Sequence, residues 1–148
     1  MSVVIRDFKA NLTDEKIAEV ESCLEIIFPT DYKQFLLQHN GGYPEPGTFT
    51  IGHGPEESQI SYFFSIQEDE TSNLLQMIKL TKGQIPRNML PVAYDDVGNL
   101  ILLGVSGDQT GQVYFWDHEQ ENGNDRNNGK ASLSFLADSF KSFLESLY

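Results

Sequence analysis

Apolar residues recur at helical spacing in the first third of the chain and at a spacing of two through the middle, and the change of period divides the sequence. Ile17, Val20, Leu24 and Ile27 fall at i, i+3, i+7 and i+10 with Glu19, Glu21 and Glu25 between them, which predicts an amphipathic helix lying on a core. Thr13 stands as its cap, Asp14 and Glu15 face the positive end of the helix dipole, and Leu12 is placed to staple onto Ile17. Cys23, beside Leu24, is expected to be a small buried hydrophobe. The run from Phe28 to Pro44 then writes a second helix with both ends marked. Pro29 fixes its entry, Thr30 caps it, and Tyr32, Phe35, Leu36 and His39 share one face. Asn40-Gly41-Gly42 stops it, with Gly41 expected in the left-handed cap conformation and Pro44 preventing resumption.

Beyond this point the pattern predicts strands. Thr48 to Gly52 is a short one, and Gln59 to Ile66 is stronger, with Ile60, Tyr62, Phe64 and Ile66 alternating with Ser61, Phe63 and Ser65. A third helix is expected over Ser72 to Lys82, burying Leu74, Leu75 and Ile78, with Gly83 and Pro86 ending it. Leu90 to Tyr94 and Leu100 to Val105 read as a hairpin across Asp95-Asp96-Val97-Gly98-Asn99. Leu100 to Leu103 has no polar face, so that strand is expected at the centre, covered on both sides. Gln112 to His118 is the next strand, and polar, Asn-rich Glu119 to Gly129 predicts a mobile surface loop. A last helix, from about Leu136 or Asp138 to Leu147, packs Phe140, Phe143, Leu144 and Leu147. The order predicts one α+β domain over residues 1–148, with a mostly antiparallel mixed sheet of about five to six strands and flanking helices.

Composition agrees with a single core: 148 residues, 39% of them hydrophobic, with no Pro- or Ser-rich linker. No apolar run approaches the roughly 18 residues that span a bilayer, and the start of the chain lacks a signal peptide's apolar segment, so a cytoplasmic protein is expected. The charge matters more when located than when summed to −12. From Gln34 to Ile78 there is no Lys or Arg but six acids, Glu45, Glu56, Glu57, Glu68, Asp69 and Glu70. From Asn88 to Asp125 there is again no base, against seven acids: Asp95, Asp96, Asp108, Asp117, Glu119, Glu121 and Asp125. Such segregated charge repels nucleic acid and anionic membranes and steers basic proteins toward the surface.

The usual signatures of chemistry fail one by one. The three histidines have no metal-ligand spacing. Gly123 to Gly129 before Lys130 carries five intervening residues where a phosphate loop needs four, and no Ser or Thr follows the lysine. Gly104-Val105-Ser106-Gly107-Asp108 ends in Asp where a nucleophile elbow closes with Gly, and Asp117 to Asp125 lacks the spacing of a calcium loop. Asp95-Asp96 are neighbours on a turn and point apart rather than forming an acid/base pair. Phe63, Tyr114 and Trp116 have no basic groove beside them and read as core rather than as a nucleic-acid platform. No catalytic residue, metal or cofactor is expected.

Taken in order, the pieces resemble the SUKH superfamily, in the branch related to the fungal Smi/Knr cell-wall regulator. The resemblance is carried by the first helix with Phe28-Pro29-x-x-Tyr32-x-x-Phe35-Leu36 through Asn40-Gly41-Gly42-x-Pro44, and by the aromatic strand Ile60 to Ile66. It continues in Leu90-Pro91-Val92-Ala93-Tyr94-Asp95-Asp96-x-Gly98-Asn99 with Leu100 to Leu103. Gly111 to Glu119 and Ala137-Asp138-Ser139-Phe140-x-x-Phe143-Leu144 complete it. The resemblance implies a non-catalytic bacterial immunity protein that binds and neutralises a cognate polymorphic toxin, often a nuclease; the alternative it implies is a regulatory or scaffold module like the fungal relative. An acidic inhibitor can occupy a nuclease's basic cleft as a phosphate substitute. Charge and loop position then nominate Asp95, Asp96, Asp117, Glu119 and Glu121 as toxin-facing carboxylates, with Trp116 or Tyr43 as an aromatic anchor. The expected partner is a protein, not nucleic acid or membrane, and the sequence does not set the oligomeric state.

Overall fold

Thr13 caps the first helix as its side chain predicts, its hydroxyl oxygen accepting from the Lys16 N–H at 3.1 Å. In the computed structural model, which describes residues 3–7, 12–52, 54–67, 73–117 and 133–148, this helix is α1 (Asp14–Leu24). It is followed by α2 (Thr30–Gln38), α3 (Asn73–Thr81) and α4 (Phe140–Ser146). The strands are β1 (Val4–Arg6), β2 (Tyr43–Glu45), β3 (Thr48–Thr50), β4 (Glu57–Phe63), β5 (Met89–Asp95), β6 (Leu100–Gly104), β7 (Val113–Trp116) and β8 (Leu133–Ala137). Six of them form one sheet in the order β3-β4-β5-β6-β7-β8, every neighbour antiparallel, in keeping with the mostly antiparallel sheet of about five to six strands expected. β1 and β2 form a separate ribbon beside β4, where the carbonyls of Gly42 and Gly47 accept from Phe63 and Ile60 at 2.8 and 2.9 Å. This is an α+β fold, and its sheet is a meander with α3 inserted between β4 and β5.

Register separates the two faces of the sheet. Phe63, Ala93, Ile101 and Phe115 lie opposite one another on β4 to β7, so they share a face. Onto it pack α2 and α4: Phe35 meets Phe63 at 4.8 Å and Phe140 at 5.0 Å between ring centroids, and Phe49 meets Phe115 at 5.8 Å and Phe143 at 5.9 Å. One residue along, Tyr62, Tyr94, Leu100, Trp116 and Leu133 form the row on the opposite face. β6 is buried along its whole length, as its apolar run predicts. Gly104 is needed where β6 ends, because a Cβ there would stand 1.9 Å from the Gln109 carbonyl oxygen. At the β3 edge, Thr48 and Tyr148 exchange both backbone hydrogen bonds, so the second residue after α4 covers that edge.

Several expectations from the sequence are corrected. α1 ends at Leu24, with Glu25 left-handed at φ 59°, which leaves Ile27 outside the helix and 70% exposed. Cys23 is exposed, not buried. Glu21, read as part of the outer polar face, is buried: its carboxylate accepts from the Phe28 N–H at 2.7 Å and pairs with Lys33 at 3.4 Å. Thr30 is the first residue of α2 rather than its cap. Pro29 takes the cap position with no side-chain bond, while Asp31 accepts from its own neighbour Tyr32 and from Lys141 at the start of α4. Gly41 does have positive φ, 92°, but it serves the following loop, because the residue that closes the helix is His39, at φ −143° and ψ 64°. A Cβ on Gly41 would also stand 2.9 Å from the Ser65 Cβ. Strand β4 stops at Phe63, and a bulge between Ile60 and Tyr62 breaks the expected alternation. Leu133–Ala137, whose last two residues fall inside the earlier of the two bounds expected for the last helix, is β8, and α4 begins after Ser139, whose hydroxyl accepts from the Ser142 N–H. The expected loop from Glu119 to Gly129, with His118, lies outside the described residues.

Candidate interaction surface

The antiparallel register brings the two base-free stretches of sequence to one end of the sheet. Ile60 of β4 lies opposite Asp95 of β5, and Leu100 of β6 lies opposite Trp116 of β7. The start of β4, the β5–β6 turn and the end of β7 are therefore neighbours. This end carries exposed Glu56, Glu57 and Asp96 and half-buried Asp117, and its segments 54–59, 95–100 and 116–117 contain no Lys or Arg. Lys79, Lys82 and Arg87 instead fall in and after α3, on the approach to Met89 at the opposite end.

The β5–β6 turn is held by its own first residue. Asp95 is 1% exposed, and all the partners it meets are donors: the N–H groups of Val97 (3.1 Å) and Asn99 (2.7 Å) on Oδ1, the Ser58 hydroxyl (2.7 Å) and Asn99 amide (3.3 Å) on Oδ2. The Asp96 N–H donates to the Gln59 carbonyl at 3.2 Å, and Gly98 takes φ 93° to close the loop. The consequence is a fixed tip on which Asp96 points to solvent and Val97 is 66% exposed. Asp95 thus braces the turn from inside instead of facing a partner. Trp116, nominated as an anchor, is also inside: it is 3% exposed, and its Nε1 has no hydrogen-bond partner among the described residues. Glu119 and Glu121 lie outside the described residues.

Tyr43, the other nominated anchor, is half-buried and belongs to a row the sequence did not disclose. Its ring meets Tyr62 edge-on at 5.5 Å; Tyr62 lies near-parallel to Tyr94 at 6.4 Å, and Tyr94 to Phe64 at 5.6 Å. Tyr62, 36% exposed, donates its hydroxyl to Asp7 at 3.2 Å. Partial burial, then the bond to Asp7 and that carboxylate's charge, raise the Tyr62 phenol above its ordinary pKa. Beside Tyr43 on the ribbon, Arg6 pairs with Glu45, and that contact raises the guanidinium's pKa. At the far edge of β4, the Tyr148 hydroxyl donates to Glu57, which raises that phenol.

Elsewhere two open grooves mix apolar and polar side chains. One, of about 410 Å³, lies between β1, α2 and α4 and includes Phe35, Phe140 and His39, whose pKa burial lowers. The other, of about 500 Å³, lies where α1, α3 and β5 meet and includes Leu24, Ile78 and Leu90. Neither lining joins a Ser, Thr or Cys nucleophile to a histidine. Among the described residues no three His, Cys, Asp or Glu side chains form a metal-binding group, and no helix is long and apolar enough to cross a membrane. What the surface offers is charge, a rigid turn and aromatic faces, a set suited to binding a protein.

The SPbeta prophage-derived uncharacterized protein YokK of Bacillus subtilis (strain 168) is 27% identical over 152 residues, covering 91% of this chain and 74% of its own. Uncharacterized protein YnaB of the same organism is 50% identical over 34 residues, 23% of this chain and 24% of its own. The sequence model of the SMI1 / KNR4 family (SUKH-1) matches residues 11–146, and the chain belongs to that family.

Proposed function

We propose that this protein is a non-catalytic immunity protein that binds and neutralises a cognate toxin, a basic nuclease domain, through the acidic end of its sheet. The observation that carries the reading is the convergence of Glu56, Glu57, Asp96 and Asp117, from two separate base-free stretches, at one end of the sheet around a braced turn. A nuclease cleft is built to attract phosphate, so a fixed constellation of carboxylates competes for the same cationic groups without any chemistry of its own. Glu119 and Glu121, which follow Asp117 in sequence, extend the same negative run and are part of the proposed surface. Family membership and the prophage origin in the name of one relative are in keeping with a toxin-neutralising role.

The test begins with the neighbouring gene. A toxin domain encoded beside this one, expressed alone, should arrest growth, and co-expression of this chain should restore it. The purified pair should associate at a rate that falls steeply with salt, and Glu56→Gln/Asp96→Asn should slow association by roughly tenfold with little change in dissociation. A complex indifferent to salt and to these substitutions, or a partner with no basic surface, would remove the charge-based reading.

A further inference from the structure

Acidic charge alone treats lysine and arginine alike, but the surface beside it does not. The tyrosine row lies on the sheet face opposite α2 and α4, and it reaches the acidic end directly, since Tyr94 immediately precedes the turn residue Asp95. Its outermost ring, Tyr62, is held on three sides: by the edge of Tyr43, by the near-parallel ring of Tyr94, and by the bond from its hydroxyl to Asp7. A ring already immobilised loses little entropy when a ligand stacks on it. Among the described residues, the charged groups placed beside it are the Asp7 carboxylate, bonded to its hydroxyl, and the Arg6–Glu45 pair on the neighbouring ribbon.

We infer that Tyr62, flanked by Tyr43 and Tyr94, is the aromatic anchor of the toxin-binding surface, and that it takes an arginine side chain of the basic partner. This rests on the proposed function above. The planar guanidinium stacks on an aromatic face while its N–H edge reaches a carboxylate; a lysine ammonium is a compact, strongly hydrated point charge without that plane. The site supplies both components, the exposed ring of Tyr62 and the Asp7 carboxylate bonded to its hydroxyl, with Asp96 on the turn that follows Tyr94. The recognised partner is thus an arginine-bearing segment, selected over a lysine-bearing one of equal charge.

Two synthetic peptides of equal length and charge, Gly-Arg repeats and Gly-Lys repeats, are titrated into the full chain at low salt by calorimetry. The arginine peptide should bind about three- to fivefold more tightly, the difference expected of one exposed cation–π contact. Tyr62→Leu should abolish that preference by weakening the arginine peptide alone. Tyr62→Phe, which keeps the ring and loses the hydroxyl, should retain most of it and serves as the control for folding. Glu56→Gln/Asp96→Asn should weaken both peptides equally. If both peptides bind with salt-sensitive affinity but show no arginine preference, or the preference survives Tyr62→Leu, the anchor is refuted while the acidic surface stands. If neither peptide binds at low salt, the acidic surface fails and the anchor with it.

Discussion

Each end of the sheet is closed by a buried polar side chain that substitutes for backbone, and the two solve the same problem with opposite chemistry. Where the chain leaves α2, Asn40 is 3% exposed and uses both halves of its amide on one residue, donating to the Ile66 carbonyl at 2.6 Å and accepting from the Ile66 N–H at 2.8 Å. At the β5–β6 turn, Asp95 accepts from all its partners. An amide is needed where the backbone presents one donor and one acceptor, and a carboxylate where it presents donors alone. The difference has an electrostatic consequence. Asn40 adds no charge of its own, whereas Asp95 places a carboxylate next to Asp96 and adds to the field of the acidic end.

Exchanging the two chemistries gives the largest expected effect. Asn40→Asp keeps the acceptor for the Ile66 N–H but sets a carboxylate oxygen against the Ile66 carbonyl in a buried site, and should cost about 4 kcal/mol at neutral pH. The introduced carboxyl is held protonated by burial and by that carbonyl, so its folded pKa lies above its unfolded value near 4. The deficit is therefore greatest above the raised folded pKa and shrinks as pH falls toward the unfolded one. Denaturant melts from pH 7 to pH 4 check this, and a deficit that does not change with pH contradicts the account.

Truncation at the other end comes next. Asp95→Ala strands two backbone N–H groups along with the Ser58 hydroxyl and Asn99 amide, and should cost about 3 kcal/mol. Asp95→Asn separates the charge from the acceptor. Its amide oxygen can serve both backbone N–H groups and its NH2 can donate to Ser58, so only the long contact to Asn99 is lost and about 1 kcal/mol is expected. Equal losses for the two substitutions would mean that the charge itself holds the turn.

The same pair of residues explains how much could be read from sequence. The hairpin, the Thr13 cap, the buried β6 and the aromatic stripe of α4 follow from short-range rules, because capping, alternation and turn chemistry act over a few residues. The three-residue strands β1, β2 and β3 are different: only β3 fell within an expected strand, since pairs that short are held by their tertiary partners and not by propensity. The bulge at Ser61 moved the phase of β4, and with it Tyr62 from the anticipated Ile60 row to the tyrosine row. Asp95 and Asp96 look alike as a turn dipeptide. The signal that separates them was present, because an Asp whose side chain can reach the N–H two residues on, ahead of Gly and Asn, is the one that folds inward. The nearness of Glu56 and Glu57 to Asp96 depends on which residues of β4 and β5 face each other, and no local rule supplies that.

The smallest expected effect on stability sharpens the contrast most. Glu56 and Asp96 are exposed, and no described base lies in their segments. If they belong to a surface reserved for a cationic partner, they contribute repulsion and no support in the free protein. Glu56→Gln/Asp96→Asn should therefore leave folding stability within about 0.5 kcal/mol of the parent, with any change a gain at low salt that disappears near 1 M, where the Debye length falls to about 3 Å. Thermal melts at both salt concentrations measure this directly. A loss of 1 kcal/mol or more, by the order of magnitude of a single net hydrogen bond, would show that these carboxylates hold the structure as Asp95 does, and the division between a bracing acid and a presented one would disappear.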